Sequence, residues 1–369
     1  MATKKLHILN FSHDEALAST SKGGGESKAA RALSLDLGML PAYWANKGDL
    51  VLVPDGASCL EKKLPRGARG RIVAESELKR ALEEWPVDSI EPWGWDGLLV
   101  RRLRKLGVSP ALLPTEEQIG ETRRLSSRET AVHLLPLLRD EVEGSEGQSW
   151  FCRSADEAWH IVESLGVALL KKPWSSSGRG LKLAVASSPK TAQDAIARII
   201  ARQGAVEVEP LYGKLCDMAM EFEAAADGSV DYVGMSVFYS RGLGQYGGGL
   251  VASDKELLGM IPSSVQPALL QAKESLLHHL PEVLDGKYRG PLGVDMMVTD
   301  DGEGLKLHPC VEINMRRTMG HVAISLRKLL AEGDMAMFTI RPRESREKGI
   351  TLLTPEAMAT EAIMVRETY

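Results

Sequence analysis

The chain has 369 residues, 44% of them apolar, with 45 basic against 50 acidic side chains and a formal net charge of -5. That is enough material for two or three packed subdomains, and the balanced charge excludes a global nucleic-acid footprint, so any cationic site has to be local. Met1–Lys5 leads into only a short apolar stretch, no run of about 18 apolar residues follows, and Cys59, Cys152, Cys216 and Cys310 are scattered; a cytoplasmic protein with reduced thiols and no membrane contact is expected.

Leu6–Leu9 and Leu50–Val53 read as short buried strands, with a helix over Ser27–Gly38 between them that turns Ala29, Ala30, Leu33 and Leu37 inward. Strand, helix, strand suggests a small parallel α/β unit. Glu75–Trp85 and Trp95–Leu106 are amphipathic helices, the second stopped by Gly107, and Val108–Leu113 reads as a strand that closes the first domain at Pro114. Arg128–Arg139 has helical spacing interrupted by Pro136, and Glu143–Ser149 is a surface loop.

Beyond it the pattern is strand (Trp150–Cys152), helix (Ala155–Leu165), strand (Val167–Lys171), loop, strand (Leu181–Val185), helix (Thr191–Gln203) and strand (Val206–Val208). Asp217–Ala224 and Val230–Tyr239 form a hairpin about Asp227-Gly228, Gln266–Leu280 is helical, and Gly293–Val298 with Leu305–Asn314 forms a second hairpin. A helix follows over His321–Ala331, and the charge run Arg341–Lys348 reads as solvated surface.

Three segments carry chemistry. Lys171–Gly180 (KKPWSSSGRG) lies between two strands, so it is a hairpin loop rather than the strand-to-helix loop of G-x-x-x-x-G-K-[ST]. Its hydroxyls and glycines let backbone N–H groups approach phosphate oxygens, and Lys171 supplies a point charge at its base. Lys171 and Lys172 point to opposite faces of their strand, and Lys171 is the one expected to face a cleft. Asp295 sits in an apolar strand, where a carboxylate needs a partner or a cation. Glu312 and Asn314, one residue apart, face the same side of the next strand, so three hard oxygen donors converge if the strands pair. By the same period of two, Arg316 shares that face. The combination points to ATP with magnesium.

These segments, over about Pro114 to Leu330, resemble the ATP-grasp superfamily and are similar to D-alanine–D-alanine ligases and biotin carboxylases. The resemblance implies mixed α/β and α+β architecture: a Rossmann-like domain over 1–114, an ATP-grasp subdomain with a lid over 115–205, a second with the metal site over 206–340, and a C-terminal extension over 341–369. It implies that Lys171 meets the α- and β-phosphates and that Ser175, Ser176, Ser177 and Gly178 form the lid. Asp295, Glu312 and Asn314 become the ligands of magnesium, or of manganese in its place, and Arg316 flanks the reactive phosphoryl group. Glu209 and the backbone at Leu211 resemble the adenine hinge, and Asp217 the ribose-binding acid. Arg128, in Ser126-Ser127-Arg128, stands where the family carries a second phosphate lysine.

Asn10–Asp14, Leu40–Trp44 and Glu91–Asp96 also resemble an uncharacterised bacterial branch of the superfamily. They lie at or near expected strand ends, where His13 is a candidate for meeting an acceptor and Trp93 and Trp95 for lining its pocket. Tyr239–Gly249 is a flexible segment for the acceptor, and Arg317 is a candidate for a substrate carboxylate. The expected activity is an ATP-dependent ligase that activates a small-molecule or peptide carboxylate as an acyl phosphate and passes it to an amine or similar nucleophile. A kinase of the same fold and a non-catalytic nucleotide-binding regulator are the alternatives; oligomeric state is open.

Overall fold

The computed structural model describes residues 3–19, 26–61, 64–175, 180–343, 350–354 and 359–367. The chain divides into two compact units, one of residues 1–122, 248–256 and 316–369, the other of residues 123–247 and 257–315.

In the first unit, β1 (Lys5–Ile8), β2 (Leu50–Val53), β3 (Arg71–Ala74) and β4 (Ser89–Pro92) form a parallel sheet in the order β3-β2-β1-β4. Parallel strands need crossovers, which the helices Lys28–Leu37 and Leu78–Glu84 help to provide. All four residues of β2 are buried, and alternation divides them between two cores. Leu50 and Leu52 pack with Leu6, Ile8, Leu78, Leu99 and Leu103, whereas Val51 and Val53 pack with Leu37, Met39 and Tyr43. Winding reverses between β1 and β4, so the segments leaving these two strands lie at the sheet's switch point.

The second unit holds two antiparallel sheets. One combines β5 (Trp150–Cys152), β6 (Val167–Lys171), β7 (Leu181–Val185) and β8 (Val206–Pro210) in the order β5-β8-β6-β7, with the helices Ala155–Leu165 and Pro189–Gln203 on its core. The other is built from β9 (Lys214–Ala224) and β10 (Val230–Arg241); the chain then passes out of the unit within β11 (Gln245–Val251) and returns for β12 (Gly290–Asp300) and β13 (Leu305–Asn314). Here the order is β13-β12-β9-β10.

The C-terminal strands β14 (Met335–Pro342), β15 (Ile350–Leu352) and β16 (Thr360–Glu367) belong to the first unit, where β14 pairs with Gly249–Val251 of β11 and with β16. Phe338, Ala362 and Met364 fill the same core as Val51 and Val53, so these strands supply core as well as surface. Of the expected charge run, residues 344–348 lie outside the described residues; Arg341 donates to Glu361 at 3.2 Å.

Several expected elements differ. Val108–Leu113 is no strand: Ser109 caps a 3-10 turn at Pro110–Leu112, because proline pre-sets the turn and removes a ladder donor. Pro136 does not interrupt its helix, which runs unbroken from Arg128 to Glu141; proline removes one N–H, and tertiary burial of Ala131, Leu134, Leu135 and Leu138 holds the rest. Tyr239–Gly249 is not a flexible loop but mainly the ends of β10 and β11, and a Cβ on Gly247 would lie 2.2 Å from the Tyr239 ring. The strands β3 and β4 and the helix Glu116–Leu125 went unread, since four-residue strands and a mostly polar helix carry little periodic signal.

Candidate active site

Lys171 is the last residue of β6, 2% exposed, and pairs in register with Glu207 of β8. Glu207 and Glu209, two apart on one strand, face the same way. The Lys171 ammonium donates to Glu207 Oε1 at 3.3 Å and also to Glu209. Burial by itself pushes this ammonium's pKa down, but Glu207 and then Glu209 carry it above its ordinary value. Burial raises the Glu209 carboxyl, against the opposing pull of Lys171. Lys172 falls beyond the strand and is half-buried.

Ser127 caps the helix that begins at Arg128, with its hydroxyl accepting from the Glu129 N–H. Arg128 is buried and fastened to the turn after β6: its backbone N–H donates to Pro173 O and its Nε to Lys172 O, both at 3.1 Å. That leaves the far end of the guanidinium to donate to Glu312 Oε2 at 2.8 Å and to lie 3.6 Å from Glu207 Oε2. Burial opposes the charge; Glu312 and Glu207 more than restore it, and the arginine pKa is raised. Ser149 completes the cluster by donating to Glu207 Oε1 at 2.7 Å. Arg128, Lys171, Glu207, Glu209 and Glu312 thus form one connected network in which three carboxylates face two cations.

In the β12–β13 pairing, Asp295 stands opposite Glu312 and Gly293 opposite Asn314, so Asp295, Glu312 and Asn314 share one face. Asp295 and Glu312 are half-buried and Asn314 is buried. Two carboxylates and an amide oxygen are the kind of hard donors that magnesium takes. Among the described residues no group of three His, Cys, Asp or Glu side chains gathers as a metal site; the fit rests on the two carboxylates with Asn314.

Across β9, Asp295 opposes Ala219, Met297 opposes Asp217 and Gly293 opposes Glu221, which brings Asp217 and Glu221 onto the same face. Asp217 accepts from Lys214 at 2.7 Å and from Ser240. Glu221, fully buried and holding the Ser236 hydroxyl at 3.2 Å, is a carboxylate that sequence reading passed over, although its alternation with Asp217 was a usable signal. Pro210 ends β8 as a paired strand residue, and Leu211 is exposed. Beside that hinge, His308 meets the Tyr212 ring edge-on at a centroid distance of 5.3 Å. A Cβ on Gly147, whose φ is +135°, would lie 2.7 Å from the His308 ring. Among the described residues neither His308 nitrogen has a hydrogen-bond partner, and burial together with the Lys171 charge pushes its pKa down to about 3.

The expected lid is anchored at its base. Trp174 donates its indole N–H to Arg123 O at 2.8 Å, stacks under the Arg123 guanidinium at 3.7 Å, and exchanges two hydrogen bonds with the Gln203 amide. Lys172 N donates to Gly180 O at 3.2 Å, and Gly180 lies against Ser175. Ser176, Ser177 and Gly178 lie outside the described residues.

His13, Arg316 and Arg317 belong to the first unit. β13 ends at Asn314, so the period of two does not extend to Arg316, whose Nε instead donates to both oxygens of Asp14 at 3.0 and 3.1 Å. Arg317 donates its N–H to Trp93 O at 2.7 Å, and its guanidinium lies 5.0 Å from the centroid of the Trp44 ring. Asn10 ties the turn after β1 to the turn after β4 by donating to Gly94 O and Asp96 Oδ2; Asp96 also caps the helix Gly97–Lys105 through Leu98 and Leu99. His13 is enclosed beneath this arrangement: 1% exposed, 3.6 Å from Asp96, with its ring where a Gly94 Cβ would sit.

No protein-family model matches the sequence, and no curated protein matches it. Solved structures do. The biotin carboxylase of Campylobacter jejuni, in complex with β,γ-ATP, superposes with a TM-score of 0.55 at 12% identity, covering 99% of this chain and 87% of that one. N5-carboxyaminoimidazole synthetase of Staphylococcus aureus with ADP gives 0.55 at 12% identity over 100% and 94%. The biotin carboxylase domain of 2-oxoglutarate carboxylase from Hydrogenobacter thermophilus, complexed with MgADP, ADP and bicarbonate, gives 0.52 at 13% over 99% and 86%. The chain has the ATP-grasp fold. Within this fold the buried ion-pair network and the Asp295–Glu312 rung occupy the second unit, and the turns carrying Arg317 and Asn10–Asp14 occupy the first. No helix among the described residues is long and apolar enough to cross a membrane.

Proposed function

We propose that this ATP-grasp chain is an ATP-dependent ligase that joins a carboxylate to an amine or similar nucleophile. The observation that carries the reading is the buried contact of Arg128 with Glu312 beside Lys171: two fixed cations adjoin a face with two carboxylates and an amide oxygen. Phosphoryl transfer needs that combination, because alignment and charge neutralisation do most of the catalysis. Three carboxylates facing two cations also favour a nucleotide that arrives with a divalent ion over a bare anion.

In this reading Lys171 and Arg128 exchange carboxylate partners for phosphate oxygens, with Ser175 at the base of the lid. Glu209 and the backbone at Leu211 meet adenine, and Asp217 the ribose. Asp295, Glu312 and Asn314 would hold magnesium or manganese, which when bound screens the phosphate charge. The substrate carboxylate attacks the γ-phosphorus, ADP leaves, and the amine then displaces phosphate from the acyl phosphate. The substrate carboxylate and the phosphoryl group in flight each call for a cation, the roles that the resemblance gives to Arg317 and Arg316. His13, closed off beneath Gly94, supports the turn that presents Trp93 and Arg317 rather than touching substrate. Excluding water matters because an acyl phosphate hydrolyses readily.

The test is ADP release on a panel of carboxylates with amines, followed by product analysis. A joined product is expected. A stable phosphorylated product alone would make the protein a kinase, and magnesium-dependent ATP binding without turnover on any pair would make it a regulator.

A further inference from the structure

Glu207 lies outside the set of groups given a contact with nucleotide, metal or acceptor, yet it is the centre of the network. It is 1% exposed, with Lys171 Nζ at 3.3 Å, Arg128 Nη1 at 3.6 Å and the Ser149 hydroxyl at 2.7 Å. Arg128 and Lys171 repel each other, each desolvated, and a shared carboxylate between them offsets that repulsion. Register gives it a second effect. Glu207 pairs with Lys171 itself, whereas Glu209 pairs with Leu169, two residues back along β6. Glu207 therefore pulls the ammonium toward the start of the phosphate loop, and Glu209 pulls it back toward the hinge.

We propose that Glu207 is a positioning residue that sets the separation of the Lys171 and Arg128 head groups and so pre-organises them for a nucleotide's phosphates. The inference rests on the nucleotide-site reading and deepens it. A carboxylate is required for this: an apolar residue at position 207 would leave two buried like charges without a shared partner, and glutamine would present an N–H to one of the two cations.

The experiment is a double-mutant cycle on the dissociation constant of MgADP, measured by calorimetry with the full-length chain and with folding checked by circular dichroism. Glu207→Gln is expected to weaken binding about tenfold in the wild-type background but less than about threefold in Arg128→Met, since coupled residues are non-additive. Equal losses in both backgrounds, or no loss in the first, would overturn the inference. Should Glu207→Gln fail to fold, Ser149→Ala, which removes one of the two donors to Glu207 Oε1 without altering charge, is expected to weaken MgADP binding about threefold as one lost hydrogen bond; unchanged binding would overturn it. A wild-type protein that binds no MgADP would defeat the nucleotide-site reading itself, a separate result from a wild type that binds and variants that bind equally.

Discussion

Arg128 and Glu312 are 184 residues apart in the chain, and the arginine's Nη2 lies 2.8 Å from the glutamate's Oε2. In the proposed function this joins a phosphate cation to a metal ligand, so the carboxylate has two suitors. Arg128→Met is expected to tighten manganese binding about tenfold in the absence of nucleotide, because the competing cation is gone, while weakening ADP binding by a similar factor. Paramagnetic resonance of free manganese measures the first effect. Unchanged manganese affinity would take Glu312 out of the metal set.

Asp295 and Glu312 stand opposite one another on paired strands with half-buried side chains. Asp295→Ala or Glu312→Ala is expected to reduce magnesium-dependent ADP release roughly a hundredfold or more. Circular dichroism should stay native for both. Full activity in either variant removes that residue from the site.

Lys171 is enclosed with two carboxylates, whereas Lys172 is half-buried beyond the strand. Deleting one partner of a buried ion pair costs about 3–5 kcal/mol, against within about 0.5 kcal/mol for an ordinary surface change. Lys171→Ala is thus expected to lower the urea midpoint and weaken ATP binding, with Lys172→Ala close to wild type in both. The raised pKa of Lys171 fixes the pH range: its contribution is complete below its ordinary value of 10.5 and is lost only as alkaline pH passes the folded value. The reverse order of the two variants would place the functional lysine on the other face.

His308 is neutral in the fold, with a pKa near 3 against an ordinary 6.5. The unfolded chain binds the proton first, so the contribution is intact above pH 6.5 and declines as pH falls from there to about 3, by about 1.4 kcal/mol per unit. His308→Phe, which keeps the ring against Tyr212 and Gly147, is expected to flatten that acid slope between pH 6.5 and 4. Urea titrations at several pH values measure it, and identical slopes in the two proteins would assign the acid sensitivity elsewhere.

The long, periodic elements were legible in the sequence, as were the pairing of the strands around residue 171 and the Asp295, Glu312 and Asn314 face, because alternation along a strand and the turn between β12 and β13 are local. Local rules also misled where context outweighed them: Pro136 sits inside an intact helix because buried neighbours hold it, and Arg316 leaves the face of Asn314 because the strand stops there. The resemblance gave Arg128 the place of a second phosphate lysine; only folding lays its guanidinium between Glu312 and Glu207. Glu207 was an unremarkable letter in an apolar strand, and its meaning depends on register with β6, which the sequence does not pair with it. The sequence by itself determined which chemical groups the protein carries and the order in which strands and helices present them. Tertiary structure decided which charges share a desolvated space, since electrostatic partnership depends on distance and burial, and neither is a property of a residue taken alone.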